Sequence, residues 1–343
     1  MRRLSDTPSD VPEILALRAL KLGDLLVAVP AIHALKRERP DHDLVLAIPG
    51  WLEPIAELTG ADVLHPTPGL DHPLAEPARA GRFDTVVNLH GNGPESRGVL
   101  DLLDAPHRIG HRASGWDGPE WEDGVLERHR WARLVDSFGI PADRDDIAID
   151  RPAVRNVAPG AVVVHVGAFY GSRHWPEERF ARVAQGFAAD GHRVVFTGSA
   201  AERPRAVEAA RLAGLPDESV LAGTIDLAEM ALVVAEAALV VSVDTGAAHL
   251  ASAYGTPSVV LFGPAPVEEW GPPEHGPHIV LTDASLRVGD TFGTEPDPAL
   301  LAVQPADVLS AGREVVRGVE PGATALSPGP IGQATGPAER TDE

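Results

Sequence analysis

Short apolar runs alternate with amphipathic segments along the first half of the chain. The runs are too short for typical helices and indicate strands buried on both faces. Apolar residues at helical spacing follow the first run and continue to Arg39, where Pro40 ends the predicted helix. Strands that alternate with helices are typical of a parallel sheet. The predicted strands of this half are residues 14–19, 44–48, 63–64 and 85–89.

The same alternation restarts after residues 141–159, a stretch rich in Asp, Arg and Pro with few apolar residues. Such a composition is typical of a linker between domains. We therefore predict two α/β domains, residues 13–152 and residues 160–317. In the second domain the predicted strands are residues 161–166, 193–197, 220–221, 238–243 and 279–281, with a further strand at the end of the segment 240–264. The predicted helices are residues 177–189, 201–212, 227–236 and 306–317.

The two ends of the chain differ from these domains in composition. Residues 1–12 carry two arginines with no apolar segment behind them, so we expect a flexible N-terminus rather than a secretory signal. Residues 318–343 are rich in Gly, Pro, Ala and Thr and bury little apolar surface, which predicts a disordered tail.

Composition narrows the classes of function. The 343 residues include 29 Lys plus Arg against 50 Asp plus Glu, a formal net charge of −21, which argues against nucleic-acid binding and against an anionic membrane surface. No apolar run approaches the roughly 20 residues of a membrane span, so we expect at most transient membrane contact. The absence of cysteine fits a cytoplasmic protein.

The loop after the predicted strand 238–243 has the features of an anion site. Asp244, Thr245 and Gly246 stop the strand where a helix carrying His249 begins. The first amides of a helix have no intrahelical partner, and the helix dipole favours a phosphate there. The alternative is an ordinary turn in which Asp244 or Thr245 only caps the helix.

Ligands of parallel α/β sheets bind beyond the carboxyl ends of the strands, and other loops there carry polar side chains. Asp24 is either a helix cap or a general base, since a carboxylate at a helix start is stabilised in both cases. Arg173 is either a solvated loop charge or a partner for a diphosphate. The polar residues of these loops are Lys21 and Asp24, His90, Asn92 and Arg97, Arg173, and Glu202.

Several common kinds of site have no signature in the chain. The 14 histidines form no HExxH motif or cluster of ligand spacing, so we predict no metal site. Asp143-Arg144-Asp145 matches an Asp-x-Asp metal motif, but it lies in the predicted linker and is better explained as a solvated charge run. The chain has no P-loop, and the first turn lacks GxGxxG, which weakens kinase and dehydrogenase functions.

Three segments occur in a familiar order: RALKLGDLLVAVPAIHALKRERP, SRHWPEERF and VVSVDTGAAHLASAYGTPSVVLFGP. Together, over roughly residues 13–317, they resemble the heptosyltransferases of glycosyltransferase family 9. The resemblance implies a GT-B architecture, in which two Rossmann-like domains with parallel sheets face each other across a cleft. It also implies a metal-independent, inverting enzyme that uses ADP-heptose as a co-substrate and needs no cofactor.

The resemblance also implies roles for individual residues. Asp24 matches the catalytic base of the family, and Arg173 stands where the family often has a lysine facing the phosphates. Polar residues of the first domain would then lie on the acceptor side: Lys21, His90, Asn92 and Arg97. The donor residues implied are Asp244, Thr245, Gly246, Ala247 and His249 for the diphosphate and sugar, Glu202 for the ribose, and Ile225 for the base.

The chain departs from the family in two places. In the family's lipopolysaccharide enzymes, residues with small hydroxyl side chains stand where this chain has Ala168-Phe169-Tyr170. The first domain also does not resemble the part of those enzymes that recognises a lipid A core. The acceptor therefore stays open, between a cell-envelope glycan and a small molecule of secondary metabolism. Two other functions stay open as well: a GT-B-fold epimerase or hydrolase of nucleotide sugars, and a non-catalytic relative that only binds them.

Overall fold

The chain folds into two parallel β-sheets, one from each half. The computed structural model describes residues 1–3, 10–71, 74 and 82–319. In the first half the elements are β1 (Arg2–Arg3), β2 (Glu13–Leu17), α1 (Leu22–Val27), α2 (Val29–Glu38), β3 (Asp43–Ile48), α3 (Glu53–Ala56), β4 (Val63–Pro66), β5 (Phe83–Asn88), α4 (Pro94–Asp101), β6 (His107–Ile109) and α5 (Glu127–Asp136).

The second half has the same alternation of strands and helices. Its elements are β7 (Val162–His165), α6 (Glu177–Ala189), β8 (Val194–Thr197), α7 (Arg203–Ala213), α8 (Leu227–Ala235), β9 (Leu239–Val243), α9 (Gly246–Tyr254), β10 (Ser258–Leu261), α10 (Val267–Trp270), β11 (His278–Leu281), α11 (Pro298–Ala302) and α12 (Pro305–Val319).

The strand order confirms the predicted fold class of two parallel-sheet α/β domains. Within the described residues, the first sheet has six strands in the order β1-β4-β3-β2-β5-β6, and the second has five in the order β11-β10-β9-β7-β8. Every neighbouring pair is parallel. The central strands β2 and β9 are buried at every position, as their continuous apolar runs predict.

The single helix predicted up to Arg39 is two helices in the structure. The chain breaks at Ala28, between α1 and α2. Pro30 lies in the first turn of α2, and because proline has no N–H it cannot continue the hydrogen-bond ladder of α1. The turn that carries Asp24 is therefore a separate helix of six residues.

One short strand is absent from the prediction, and one predicted strand is wrong. Residues 107–109 form the edge strand β6, which pairs with β5; three residues are too few for the apolar pattern to show. Residues 220–221 were expected to form a strand, but Val220 makes only an isolated bridge to Phe196. The remaining predicted strands of both halves match observed ones with shifts at their ends.

The predicted ends of the chain need correction where they are described. Arg2–Arg3 form a strand that pairs with Val63 and Leu64, so these two residues of the segment 1–12 are held by the sheet. At the other end α12 continues to Val319, two residues beyond the predicted end of the second domain at residue 317. Residues 4–9 and 320–343, on which the rest of both predictions falls, lie outside the described residues.

The segment predicted as a linker has no helix or strand of its own and lies against the body of the protein. Ile149 is buried. The Asp150 amide donates to the Leu58 carbonyl, and the Tyr254 hydroxyl donates to the Asp150 carbonyl. Residues 141–159 thus contact both halves of the chain, and the domain limits given above stay a prediction.

The two halves also share one hydrophobic cluster. It runs from Ile14 and Leu26 in the first half to Val240 and Leu250 in the second. Helices α1 and α9 pack so closely that a Cβ atom at Gly23 would lie 2.8 Å from His249 Cδ2, and one at Gly246 would lie 2.7 Å from Leu22 Cδ2. Two glycines therefore set how near the halves approach.

The packing of the last helix gives a test of the fold. A Cβ atom at Gly312 would lie 2.5 Å from Phe187 Cζ and 2.8 Å from Leu239 Cδ2, whereas nothing lies within 4 Å of one at Gly318. We predict that Gly312→Ala lowers the free energy of unfolding in urea by about 1–3 kcal/mol through overpacking. Gly318→Ala on the same helix is the control and should leave stability unchanged or raise it. Equal stability of the two variants would contradict the close packing.

Candidate active site

Asp24 is held at the edge of the first sheet by a buried arginine. Arg18, at the carboxyl end of β2, is 2% exposed, and its Nε donates to the Asp24 carbonyl at 2.8 Å. Its Nη2 lies 3.5 Å from Asp24 Oδ1 and 3.9 Å from Glu127 Oε2. The guanidinium also lies over the Trp131 ring, 4.6 Å from its centroid. Arg18 therefore fixes both the backbone and the carboxylate of Asp24.

The other Asp24 oxygen accepts from the Lys21 amide at 3.1 Å. This bond caps the start of α1, so capping, one of the two roles considered for Asp24, is observed. The carboxylate nevertheless stays 23% exposed. One carboxylate thus caps its helix and keeps a face open to the cleft.

His90 lies close to this carboxylate, on the loop after β5. Burial, and secondly the charge of Arg18, lower the pKa of His90 to about 4, while Asp24 opposes the shift. Its Nδ1 is buried and has no hydrogen-bond partner among the described residues. The ring is therefore neutral at pH 7 and keeps one nitrogen for a ligand.

Asn92 and Arg97 lie on the same loop and at the start of α4. Arg97 Nη1 donates to the Asn92 carbonyl at 2.8 Å and to Asn92 Oδ1 at 3.1 Å. Asn92 is exposed and Arg97 is half-buried. The structure places this pair at the carboxyl edge of the first sheet and, within the described chain, shows no contact of either residue with Asp24.

In the second half the start of α9 is left open. Thr245 takes an extended conformation at the cap position, but its hydroxyl does not cap the helix. It lies 3.0 Å from Ser242 Oγ instead. The amides of Gly246 and Ala247, in the first turn, have no acceptor within the helix. The arrangement leaves the positive end of a nine-residue helix available for an anion.

Arg173 and His249 converge on Asp244 beside this helix start. Arg173 Nη1 lies 3.4 Å from Asp244 Oδ2 and donates to the Asp244 carbonyl at 3.2 Å. His249 Nε2 lies 3.8 Å from Asp244 Oδ1. Burial lowers the pKa of His249, with Asp244 and Asp24 opposing the shift, which favours the neutral ring. Asp244 is therefore the anchor that positions a cation and an imidazole.

Part of the hydrogen-bonding capacity of this cluster is unused. Arg173 Nε and Asp244 Oδ2 are buried without a hydrogen-bond partner in the described part of the chain. Buried polar atoms normally have partners, and in a ligand site such atoms are those that the ligand satisfies. The cluster therefore has the properties of a site prepared for a polar, anionic ligand.

Glu202 and Ile225 lie further along the same edge. Glu202 precedes α7, and its Oε2 accepts from the Ser199 amide at 2.7 Å. A Cβ atom at Gly167 would lie 2.5 Å from Glu202 Oε2, so the chain after β7 passes directly over this carboxylate. Half-buried Ile225 lies against the hydrophobic cluster, one residue before the Asp226 cap of α8.

Sequence reasoning missed three residues that shape the site. Arg18 comes directly after β2, but it lies inside the predicted strand 14–19, so the rule that directed attention to loops passed over it. Trp131 packs on Arg18, and its Nε1 donates to Glu127 Oε2 at 3.0 Å. Arg128 Nη1 donates to the Gly271 carbonyl at 2.8 Å and links the two halves. Both lie on α5, where nothing in the sequence marks a site.

No group of three or more His, Asp or Glu residues within the described ranges is arranged to hold a metal ion. His42 and His107 border a cavity of about 520 Å³, together with Asp84, but it lies at the amino ends of the strands, away from the cleft. None of the helices in the described ranges is long and apolar enough to cross a membrane.

Known proteins share both the sequence and the fold of this chain. Residues 129–287 match the model of glycosyltransferase family 9 (heptosyltransferase). Lipopolysaccharide heptosyltransferase 1 of Pseudomonas aeruginosa is 39% identical over 150 residues, 42% of this chain and 41% of that protein. Lipopolysaccharide heptosyltransferase 2 of Salmonella typhimurium is 23% identical over 81% of this chain and 91% of its own length. Over residues 129–287 the chain is therefore similar to glycosyltransferase family 9.

The fold of the chain also matches a solved structure. The Escherichia coli ADP-heptose lps heptosyltransferase II superposes with a TM-score of 0.73 at 21% identity, over 90% of this chain and all of that one. The match to the Pseudomonas aeruginosa relative spans less than half of that protein.

The aromatic residues behind Arg18 give a test of the electrostatics. His111 is 2% exposed, and its ring contacts Trp121 and Trp131 at centroid distances of 4.9 and 5.8 Å. Burial, then the charges of Arg130 and Arg133, lower its pKa to about 4, below the roughly 6.5 expected of the unfolded chain. The unfolded state then binds a proton that the folded state does not, so this residue destabilises the fold as pH falls from 7 to 5.

We predict that His111→Phe, which keeps the ring contacts, makes the free energy of unfolding fall less steeply between pH 7 and pH 5. Urea titrations across this range measure the slope. His275→Phe is the control, since His275 is exposed and should not change it. An unchanged slope in the His111 variant would show that this histidine is not buried in its neutral form.

Proposed function

We propose that the chain is an inverting, metal-independent glycosyltransferase that moves a heptose-like sugar from an ADP-linked donor to an acceptor hydroxyl. The observation that carries the proposal is the contact between α1 and α9, where Gly23 meets His249. It sets the half-exposed carboxylate of Asp24 opposite an open helix start with an incompletely paired arginine. A base and an anion site facing each other across a cleft fit a displacement at a sugar-phosphate bond.

The donor is proposed to lie along the second sheet. The diphosphate would bind at the start of α9, at Thr245, Gly246 and Ala247, with the Arg173 fork balancing its charge. His249 would bind sugar or phosphate oxygens. Glu202 would accept from ribose hydroxyls, and Ile225 would pack on the base. The Escherichia coli structural relative is an ADP-heptose enzyme, which supports ADP as the nucleotide.

In the reaction, Asp24 takes the proton of the acceptor hydroxyl as its oxygen attacks the anomeric carbon. The new C–O bond forms as the bond from that carbon to the phosphate oxygen breaks, and the electron pair leaves with the nucleotide diphosphate. A single displacement of this kind inverts the anomeric centre. Arg173 and the α9 amides stabilise the charge that develops on the leaving group. We propose that no metal ion or other cofactor takes part.

The acceptor is proposed to enter from the first half, next to His90. The unpartnered His90 Nδ1 suits a hydroxyl of a glycan or small molecule, and Asn92 and Arg97 would bind groups further out. Curated relatives act on lipopolysaccharide by name, which supports a glycan acceptor, whereas the net charge of −21 favours an acceptor free of an anionic membrane. We place the reaction in the cytoplasm.

Replacing the base tests this mechanism. Asp24→Asn should lower the rate of transfer by roughly 10²–10⁴-fold, the usual contribution of a general base, while calorimetry shows donor binding retained. Asp190→Asn, which alters an exposed pair with Arg313, is the matched control and should transfer normally. Normal turnover by the Asp24 variant would refute the role of the base. Release or epimerisation of sugar without any acceptor would instead indicate a hydrolase or epimerase.

A thermal-shift screen tests the donor. A nucleotide sugar at about 100 times its dissociation constant stabilises the folded state by about 2.7 kcal/mol, which raises the melting temperature. We expect ADP-linked sugars to do so and sugars linked to UDP or GDP to have less effect. A shift with another nucleotide but none with ADP would exclude the ADP-heptose assignment, and binding with no transfer to any acceptor would indicate a non-catalytic relative.

A further inference from the structure

Lys21 lies across the cleft from the segment where the family's hydroxyl residues are missing. Its Nζ is 3.2 Å from the centroid of the Phe169 ring and 4.4 Å from that of Tyr170. Lys21 belongs to the loop before α1, whereas the two aromatic residues follow β7. The ammonium therefore spans the two halves of the protein at the mouth of the proposed donor site.

Of the two rings that hold Lys21, Phe169 is poorly covered and Tyr170 is half-buried. Phe169 is 75% exposed, and Phe292, which packs on Tyr170 at a centroid distance of 5.1 Å, is 72% exposed. A cation over such exposed rings is held weakly in comparison with a cation paired to a phosphate. The contact with the rings is thus one that an incoming anion displaces.

A second cation is near. Burial, and to a smaller extent the charge of Arg173, lower the pKa of Lys21, while Asp24 opposes the shift. Arg173 thus acts on Lys21 from the other half of the chain, and its Nε is buried without a partner in the described part of the molecule. Two cations that face each other across a cleft repel unless an anion lies between them.

We propose that Lys21 is a donor residue: it leaves the rings of Phe169 and Tyr170 and binds the sugar-linked phosphate of the donor's diphosphate. This inference rests on the proposed function and changes the role of Lys21 from the acceptor side to the donor side. Lys21 then replaces, from the opposite domain, the phosphate contacts that hydroxyls at 168–169 would make. The diphosphate lies between Lys21 and Arg173 and holds the two halves together.

Calorimetry with ADP and AMP tests the proposal on the full chain. Lys21→Met keeps the length of the side chain and removes its charge, and it should weaken ADP binding about tenfold, equivalent to about 1.4 kcal/mol. AMP, which lacks the second phosphate, should bind both proteins equally. Lys36→Met is the matched control, because Lys36 pairs with Asp62 on the first half, and it should bind ADP normally.

The variant Phe169→Leu distinguishes a contact of Lys21 with phosphate from a contact of Lys21 that only holds the two domains together. If Lys21 binds phosphate, removing the ring frees the ammonium, and ADP affinity is kept or rises. If Lys21 only latches the halves together, Phe169→Leu weakens ADP binding as Lys21→Met does, and the proposal is overturned. Equal ADP binding by the unaltered chain and Lys21→Met also overturns it, and leaves the proposed function intact. A failure of the unaltered chain to bind ADP overturns the inference together with its ADP donor.

Discussion

The close approach of α1 and α9 is the constraint on which the site depends. Gly23 lies against His249, and Gly246 lies against Leu22, so each helix meets the other at a residue without a side chain. Asp24, the proposed base, is one residue from the first glycine, and the amides proposed to bind phosphate begin at the second. The distance between proposed base and proposed leaving group is therefore set by backbone packing, which varies less than contacts between long side chains.

The site gathers positive charge, whereas the molecule as a whole is strongly negative. The chain carries a net charge of −21, yet Arg18, Lys21 and Arg173 are gathered around one cleft. Each has an acidic neighbour, Asp24 or Asp244, that keeps it in place. The pairing of Arg173 is incomplete, since its Nε has no hydrogen-bond partner in the described chain. An acidic exterior with a local positive cleft favours small anionic ligands over polyanions.

Much of the fold was predictable because strands that are buried on both faces appear in the sequence as continuous apolar runs. The loops after these strands located Asp24, Arg173 and Asp244. The break at Ala28 needed attention to the missing N–H of Pro30, and β6 is too short to leave a pattern. Two contacts could not be predicted, that of Lys21 with Phe169 and that of Arg128 with Gly271. Each contact joins residues more than 140 positions apart and depends on how the two halves dock.

The hydrophobic cluster that passes between the halves bears on how the enzyme could be re-engineered. Exchanging whole acceptor domains between relatives is an attractive route to new specificities. Here Leu26 of one half and Leu250 of the other belong to a single packed cluster, and the glycine contacts lie at its edge. A transplanted half would expose part of this core unless the surface against which it packs were transplanted together with it. New acceptors are therefore better sought by changing the loop around His90 than by recombining domains.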